Sequence, residues 1–239
     1  MPYSIEIQAR TSVDVGRHIS FRDMHRLACY LAEPASKSAH ELQVKPFAIW
    51  PLMNEGEHFI IRLAVLTDDV AMVHRISGRL KATPHLGEDI PLAIEACTID
   101  ALSFEDLSRS IPRSEILVDC VSPVVYSRNG KYYALPDPHL VHRGLVMRWN
   151  EFAPKQLHMT DNDARQLLST VEMVGCNIEA TRIKDMGRRI GFTGSIKYRV
   201  SDDSNEDVLR WFSALWRFAS FSGLGSMTTH GLGAVNIDV

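Results

Sequence analysis

The order of predicted strands and helices occurs twice along this chain, and that repeat is the strongest constraint on its fold. In the first half, residues 3–9 alternate apolar and polar residues as a half-buried strand does, and a helical pattern follows. Val44–Met53 and Phe59–Leu66 then predict a hairpin. A helical pattern over Asp68–Lys81 and a strand pattern over Ile90–Leu102 complete the half. This β-α-β-β-α-β order defines the ferredoxin-like unit.

The second half repeats the order with a longer first crossover. The patterns predict strands at Ile116–Val121 and Gly233–Val239, a hairpin of Cys176–Lys184 and Ile190–Val200, and helices at Asp137–Phe152, Thr160–Val171 and Asn205–Phe221. We therefore predict an α+β protein of two tandem ferredoxin-like domains with RRM-like topology. Residues 1–103 form the first domain, 104–114 the linker, where Ser, Arg and Pro cluster, and 115–239 the second domain.

Composition excludes several classes of protein. With 239 residues, 45% of them hydrophobic, the chain is long and apolar enough to bury a core. Its 26 Lys and Arg against 29 Asp and Glu give a net charge of -3, so it is not basic overall, although a local basic face stays open. The cysteines lie far apart, without a C-x-x-C pair, and predict neither a disulfide framework nor a zinc site. They are Cys29, Cys97, Cys120 and Cys176.

The sequence shows no targeting or membrane-spanning pattern. Its first residues alternate instead of forming a basic segment followed by an apolar one, and no run reaches the roughly 18 apolar residues that span a bilayer. We expect a cytoplasmic protein without a membrane partner.

Glycines concentrate between the last predicted helix and the last strand. Gly223, Gly225, Gly231 and Gly233 fall within eleven residues. Glycine permits positive φ and close approach of another backbone, so successive N–H groups can converge on a phosphate. A helix cap followed by an ordinary loop is the alternative. The pattern favours a ligand-binding loop, but it is not a Walker loop, because no G-K-[ST] follows.

Cations concentrate in the predicted hairpin of the second half. Six lie between residues 182 and 199, with Asp185 as the one opposing acid. They are Arg182, Lys184, Arg188, Arg189, Lys197 and Arg199. Such a hairpin is either an ordinary solvated surface or a site for an RNA backbone, and the pattern alone does not separate these alternatives.

The histidines allow several interpretations. His139 and His142 share a helical spacing that suits a metal, but no third ligand is near in sequence, so no metal site is predicted. His18 and His158 each open an H-x-[ST] motif of two-histidine phosphoesterases, yet the hydroxyl residue of each motif stands where a helix begins and is explained by capping. His25 in the first helix remains a candidate for acid-base chemistry.

Several segments resemble one protein family. Residues 39–52 (AHELQVKPFAIWPL) are similar to the H…KPF…SPL segment of the CRISPR-associated endoribonucleases, in the RAMP superfamily, that cut precursor CRISPR RNA within its repeats. Residues 121–124 (VSPV), 135–138 (LPDP) and 145–150 (LVMRWN) resemble the start of that family's C-terminal domain. Residues 191–194 (GFTG), together with 218–235, resemble its glycine-rich loop. The resemblance runs in order along nearly the whole chain.

The resemblance implies RNA cleavage without a metal or another cofactor. The ribose 2′-hydroxyl attacks the neighbouring phosphate, which leaves a 2′,3′-cyclic phosphate and a 5′-hydroxyl. By position His40 matches a general base or acid, and Lys45 matches a lysine that stabilises the transition state. A tyrosine that some members carry on the first helix falls near Cys29 here, with Tyr30 adjacent, so His25 is the candidate for the second proton transfer.

The implied partner is CRISPR repeat RNA, held by Arg182, Lys184, Arg188 and Arg189 and by the four glycines. Other subunits of a CRISPR effector complex and a second copy of the chain are further candidate partners. Two alternatives stay open. One is a non-catalytic RNA-binding subunit of an effector complex, and the other is a cyclic phosphodiesterase that uses His18 and His158.

Overall fold

The chain folds into two α+β units that follow one another, as the repeated order of elements predicts. The structure is a computed structural model. It describes residues 1–11, 19–35, 44–55, 58–128, 130–184, 186–187, 189–201 and 205–238. None of the helices within these ranges is both long and apolar enough to span a membrane.

The first unit is an antiparallel sheet packed against two helices. In chain order its elements are β1 (Tyr3–Arg10), α1 (Phe21–Ala32), β2 (Phe47–Ile49), β3 (Met53–Glu55), β4 (His58–Val65), α2 (Val70–Leu80), β5 (His85–Leu86), β6 (Ile90–Pro91) and β7 (Ala93–Ala101). The strand order β2-β4-β1-β7 is that of a ferredoxin-like sheet, and β3 also pairs with β4. Ile5 and Ile7 of β1 are fully buried beneath Leu27 and Leu31 of α1 and form the core of this unit.

Helix α3 (Phe104–Ser108) leads into the second unit. There follow β8 (Glu115–Val124), β9 (Tyr126–Arg128), β10 (Lys131–Tyr133), α4 (Pro138–Phe152), α5 (Asp161–Thr170), β11 (Val171–Arg182), β12 (Ile190–Val200), α6 (Glu206–Ser222) and β13 (Val235–Asp238). Short 3₁₀ turns lie at Lys155–Leu157 and Thr228–His230. The main sheet has the order β11-β12-β8-β13, so the ferredoxin-like arrangement occurs twice. The two-domain fold prediction is confirmed.

Local chemistry sets where the helices begin and end. Ser20 and Asp23 form a capping box at α1, in which the Ser20 hydroxyl accepts from the Asp23 N–H at 3.2 Å and the Ser20 N–H donates to Asp23 at 3.1 Å. Asn205 caps α6 through its side-chain oxygen, which accepts from the Val208 N–H at 2.9 Å. Gly223 ends α6 with φ of 65°, a conformation that glycine adopts without strain.

The structure corrects two predicted strands. The predicted strand Val44–Met53 is two short strands, β2 and β3, whose registers on β4 differ by one residue: Ile49 pairs with Leu63, whereas Met53 pairs with Ile60. A one-residue irregularity that includes Pro51 therefore separates them. The predicted strand Ile90–Leu102 also divides: Ile90 and Pro91 pair with β5, and β7 alone pairs with β1. Residues 104–108 of the predicted linker are helical, and Phe104 is buried against aromatic rings of α4 and α6.

The two units share part of their core. Ala48 and Trp50 from the first unit belong to the same buried cluster as Trp149 and Trp216 of the second. The 3₁₀ turn Thr228–His230 packs on α1 and β2 of the first unit. A cleft therefore lies between the units, with an N-terminal helix on one side and the glycine-rich loop on the other.

Candidate functional site

A cleft of about 500 Å³, here called the domain cleft, brings together candidate residues from both units. Its walls include His25 of α1 and Lys45, which lies just before β2. The opposite wall comes from the second unit: Arg148 of α4, residues Gly225–Thr229, and His230. Two of the three predicted catalytic residues, His25 and Lys45, thus line one cleft. The third, His40, lies outside the described residues.

His25 and His230 form a stacked pair across the cleft. Their ring centroids are 3.7 Å apart. His25 Nδ1 also lies 3.0 Å from the carbonyl oxygen of Thr229. Because a carbonyl only accepts hydrogen bonds, Nδ1 carries the proton, and in the neutral ring Nε2 keeps its lone pair. The loop of the second unit thereby fixes the tautomer of a histidine in the first.

The environment keeps the His230 ring neutral. Burial lowers the pKa of His230 to about 4, and the nearby His25, Arg189 and Lys45 act in the same direction. Left-handed backbone at Met227 (φ 65°) and Gly231 (φ 87°) brackets the 3₁₀ turn that presents this ring. At neutral pH His25 consequently stacks on an uncharged partner.

Lys45 forms an ion pair with Glu33 at the end of α1. Both side chains are nearly buried, with exposed fractions of 11% for Lys45 and 10% for Glu33. Cys29 lies one helical turn from each of His25 and Glu33, and its Sγ is 3.5 Å from His25 Nε2. Burial and the Glu33 carboxylate raise the pKa of the Cys29 thiol to about 12, so it stays protonated. One face of α1 thus places a thiol between the candidate base and a carboxylate.

Arg148 holds the start of the glycine-rich loop. Its guanidinium donates to the carbonyl oxygen of Ser222 at 2.6 Å and to that of Gly225 at 3.2 Å. Burial lowers the pKa of Arg148 to about 10, which leaves it charged at neutral pH. A cation therefore lies in the wall of the cleft, bonded to backbone carbonyls.

The four predicted glycines adopt the positive φ that the pattern predicts. The close approach at three of them is to the protein itself. A Cβ on Gly223 would collide with the carbonyl oxygen of Gly233, one on Gly225 with that of Val125, and one on Gly233 with that of Leu224. Gly231 packs near Pro51 of the first unit. These glycines give the loop its shape, and their contact with RNA stays a prediction.

The cations of the second-unit hairpin divide into two groups. Lys197 and Arg199, on β12, pair with Glu115 and Glu172 of the neighbouring strands. Arg182 and Lys184, at the tip, are exposed. Arg189, also at the tip, donates to the carbonyl oxygen of Met186 at 2.8 Å and lies over the Tyr132 ring. Arg188 lies outside the described residues.

The tip of this hairpin adjoins the domain cleft. Ile183 and Met186 are buried against Leu232, and Phe21 at the start of α1 packs on the same cluster. Arg189, at this tip, lies close enough to His230 for its charge to lower the pKa of that ring. A basic surface thus continues from the hairpin tip, here Arg182–Arg189, toward the stacked histidines.

His142 belongs to the core and not to a site. Its ring is fully buried, its Nδ1 lies 2.8 Å from the carbonyl oxygen of Pro138, and its Nε2 accepts from the Trp216 indole at 3.1 Å. Burial lowers its pKa to about 4. No group of three or more potential metal ligands occurs within the part of the chain that the structure describes.

The remaining motif residues also take structural roles. Ser20 and Thr160 accept from the N–H groups of Asp23 and Asp163, so both hydroxyls cap helices as expected. His158 Nε2 lies 3.0 Å from the carbonyl oxygen of Ala153, and His18 lies outside the described residues. Tyr30 points away from the domain cleft, with Arg79 over its ring.

Sequence reasoning did not single out Arg148 and His230, which line the cleft, or Glu33, which pairs with Lys45. His230 stands inside the glycine-rich stretch, directly before Gly231, and this position was the available signal. Nothing local marks Glu33 or Arg148, because their partners lie 12 and at least 74 residues away in the chain.

Comparison with known proteins points to one family. Residues 118–235 match the model of the CRISPR-associated endoribonuclease Cas6 family. A comparison with curated proteins found no match. Among solved structures, a Cas6 product complex gives a TM-score of 0.84 at 20% identity, over 100% of both chains. Thermus thermophilus Cas6 gives 0.78 at 20% identity, over 100% of this chain and 98% of that one.

A further solved structure, described as a RAMP protein binding different RNA substrates, gives a TM-score of 0.56 at 12% identity, over 99% of this chain and 100% of that one. The solved structures show that the fold extends over the whole chain. The family model covers most of the second domain, including the glycine-rich loop and His230. Residues 118–235 of this chain therefore match the CRISPR-associated endoribonuclease Cas6 family, and the whole chain shares the fold of the solved Cas6 structures.

Proposed function

We propose that this protein cleaves precursor CRISPR RNA within its repeats by attack of a ribose 2′-hydroxyl on the adjacent phosphate. The observation that carries the proposal is the domain cleft, where a tautomer-fixed histidine and a lysine lie together in a chain that matches the model of an endoribonuclease family. The reaction forms a bond from the 2′ oxygen to phosphorus and breaks the bond from phosphorus to the 5′ oxygen. The products are a 2′,3′-cyclic phosphate and a 5′-hydroxyl, and no metal takes part.

His25 is the proposed general base. Its Nδ1–H faces the carbonyl of Thr229, so Nε2 carries the lone pair that takes the 2′-hydroxyl proton, and the hydroxyl replaces the 3.5 Å contact of Nε2 with the Cys29 thiol. The imidazolium that forms stacks on the neutral ring of His230 and donates to a carbonyl oxygen, and both contacts favour the charge. A second positive charge on His230 would oppose that step.

Lys45 is the proposed electrostatic stabiliser. The phosphate gains negative charge in the transition state, and an ammonium in a nearly buried position acts on it with little screening by water. Glu33 holds this ammonium in the cleft wall. Lys45 matches by position the lysine that the family resemblance implies for this role.

His40 is the proposed second proton-transfer group, which donates to the leaving 5′ oxygen. The assignment rests on the resemblance of residues 39–52 to the family segment and on the lining of the domain cleft by Val44 and Lys45, which follow His40 closely in the chain. Base and acid then come from different segments of the first domain.

The basic hairpin tip and the glycine-rich loop are the proposed RNA-holding elements. Arg182, Lys184, Arg188 and Arg189 supply cations to the RNA backbone beside the cleft. Gly223, Gly225, Gly231 and Gly233 shape the loop that carries His230 toward α1. Repeat RNA is the proposed partner, bound across both domains.

The test uses a repeat RNA from the CRISPR array that neighbours the gene. We expect one cut within the repeat in excess EDTA, a cyclic phosphate on the upstream fragment, and no cut when the ribose at that position is 2′-deoxy. Loss of cleavage in EDTA, or cleavage through the deoxy position, contradicts the proposed reaction. Tight binding of the repeat without any cut identifies a non-catalytic RNA-binding subunit instead.

A further inference from the structure

We propose that a second pocket, next to the domain cleft, receives one unpaired nucleobase adjacent to the scissile phosphate. This side pocket lies between α4, β9 and the start of the glycine-rich loop, with a volume of about 410 Å³. The proposal rests on the proposed function and adds a site that selects one nucleotide of the repeat. Neither His25 nor Lys45 lines it.

The side pocket and the domain cleft share a wall. Arg148, Gly225 and Ser226 line both. On this wall the Arg148 guanidinium donates hydrogen bonds to loop carbonyls. These bonds fix the distance between the side pocket and the domain cleft. When the scissile phosphate of an RNA strand lies beside Lys45, a neighbouring nucleotide of that strand therefore lies at the mouth of the side pocket.

The size and lining of the side pocket suit a nucleobase. Ligand pockets of roughly 300–1,000 Å³ with mostly apolar walls are typical of small-molecule sites. Here Leu145 and Leu224 are buried in the wall, the ring of Tyr126 lines it, and Met147 at the rim is 63% exposed. Unpaired RNA bases bind such surfaces by stacking on aromatic, apolar or guanidinium planes.

The charge at the rim favours a nucleotide over an uncharged ligand. Arg143 lines the side pocket, its side chain is exposed, and no residue in the described part of the chain forms an ion pair with it. A guanidinium in this position can contact the phosphate of the inserted nucleotide or the plane of its base. With Arg148 behind it, the rim carries two cations.

Gly144 gives experimental access to the side pocket without disturbing the fold. It lies on the exposed side of α4, and a Cβ there would lie 3.9 Å from the Tyr126 ring, which is ordinary contact. Helical glycine is less favourable than almost any other residue, so a substitution here does not weaken the helix. A leucine at this position places its side chain in the pocket, whereas an alanine adds one methyl group.

The experiment measures affinity for an uncleavable repeat RNA that is 2′-deoxy at the cut site. Gly144→Leu is compared with Gly144→Ala and with Gly78→Leu, a control at an exposed glycine of α2 that has no atom within 4 Å of its Cβ position. Each protein is titrated with the intact RNA and with RNAs that are abasic at single positions flanking the cut. Thermal unfolding of each variant verifies the fold.

We expect Gly144→Leu to weaken binding about 5- to 100-fold, the range for loss of one stacked base, and both other variants to bind as the parent does. One abasic position should weaken the parent by a similar factor and leave Gly144→Leu unchanged. If Gly144→Leu binds with the same affinity as the parent, or if every abasic RNA loses the same affinity, the side-pocket proposal is overturned. Cleavage of the repeat by the parent shows that the proposed function still holds in that case. A parent that neither binds nor cleaves the repeat overturns both proposals.

Discussion

The rings of His25 and His230 lie 4° from parallel, although one residue belongs to the first domain and the other to the second. The stack therefore exists only while the two domains keep their relative placement. The 3₁₀ turn that carries His230 also packs on α1 and β2, so loop position and histidine geometry are linked. Substitutions at the two rings separate the contribution of proton transfer from that of stacking.

Replacement of His25 by alanine should lower the cleavage rate by roughly 100- to 10,000-fold, the usual contribution of an acid-base group. Affinity for the uncleavable repeat should change little, because Lys45 and the basic hairpin remain. Single-turnover cleavage and titration with the 2′-deoxy repeat measure the two effects. Cleavage within tenfold of the parent rate would remove His25 from the chemistry.

His230 supports a matched pair of variants. If its ring is a neutral platform for the His25 imidazolium, His230→Phe keeps most of the activity, because phenylalanine also stacks and carries no charge. His230→Ala removes the platform and should reduce the rate by roughly 2- to 10-fold, on the scale of a lost stacking contact. Equal loss in both variants would instead show that a ring nitrogen of His230 takes part.

Much of the fold follows from local sequence, and the domain cleft does not. Ser20 with Asp23 and Gly223 predict helix ends because their partners lie within four residues. The contact between His25 and Thr229 joins residues 204 positions apart, so no local pattern records it. The resemblance adds Lys45 by position, but only packing shows that Glu33 holds it. Pro51 was visible in the sequence, but the one-residue shift in register that divides the predicted strand there is seen only in the pairing with β4.

Lys45 should tolerate a change of shape better than a loss of charge. We expect Lys45→Ala to lower the cleavage rate by roughly 100-fold or more, the scale of a lost transition-state donor, and Lys45→Arg to recover part of it. Glu33→Gln leaves the ammonium nearly buried beside a neutral amide and should also destabilise the fold, by about 3 kcal/mol for a broken buried pair. Urea titration measures that cost, and full activity of Lys45→Ala would contradict the assigned role.

His142 predicts how the stability of the protein depends on pH. Its pKa is about 4 in the fold and near 6.5 in an unfolded chain, so between these values the unfolded state binds more protons. The free energy of unfolding should therefore fall as the pH drops from 6.5 to 4, by up to about 1.4 kcal/mol per pH unit from this group. Urea titrations across that range measure the slope. His230, whose pKa is also about 4, adds to the same slope, so His142→Gln should reduce the slope without abolishing it and should lower stability at pH 7. An unchanged slope would show that His142 does not contribute to it.

The basic hairpin allows a comparison of two charge reversals on the same structural element. Arg182→Glu with Lys184→Glu changes the exposed tip, whereas Lys197→Glu with Arg199→Glu changes cations that already pair with Glu115 and Glu172. Each phosphate neutralised on single-stranded RNA contributes about −0.7 to the slope of log affinity against log salt concentration. If both tip cations touch the RNA backbone, the tip reversal should flatten that slope by roughly 1.4 and weaken binding, while the control pair should change the slope far less. Titrations of each variant with the uncleavable repeat at several salt concentrations decide whether the tip cations contact the RNA backbone. Equal effects of the two pairs would show that the field of the whole hairpin matters and that the tip makes no direct contact with RNA.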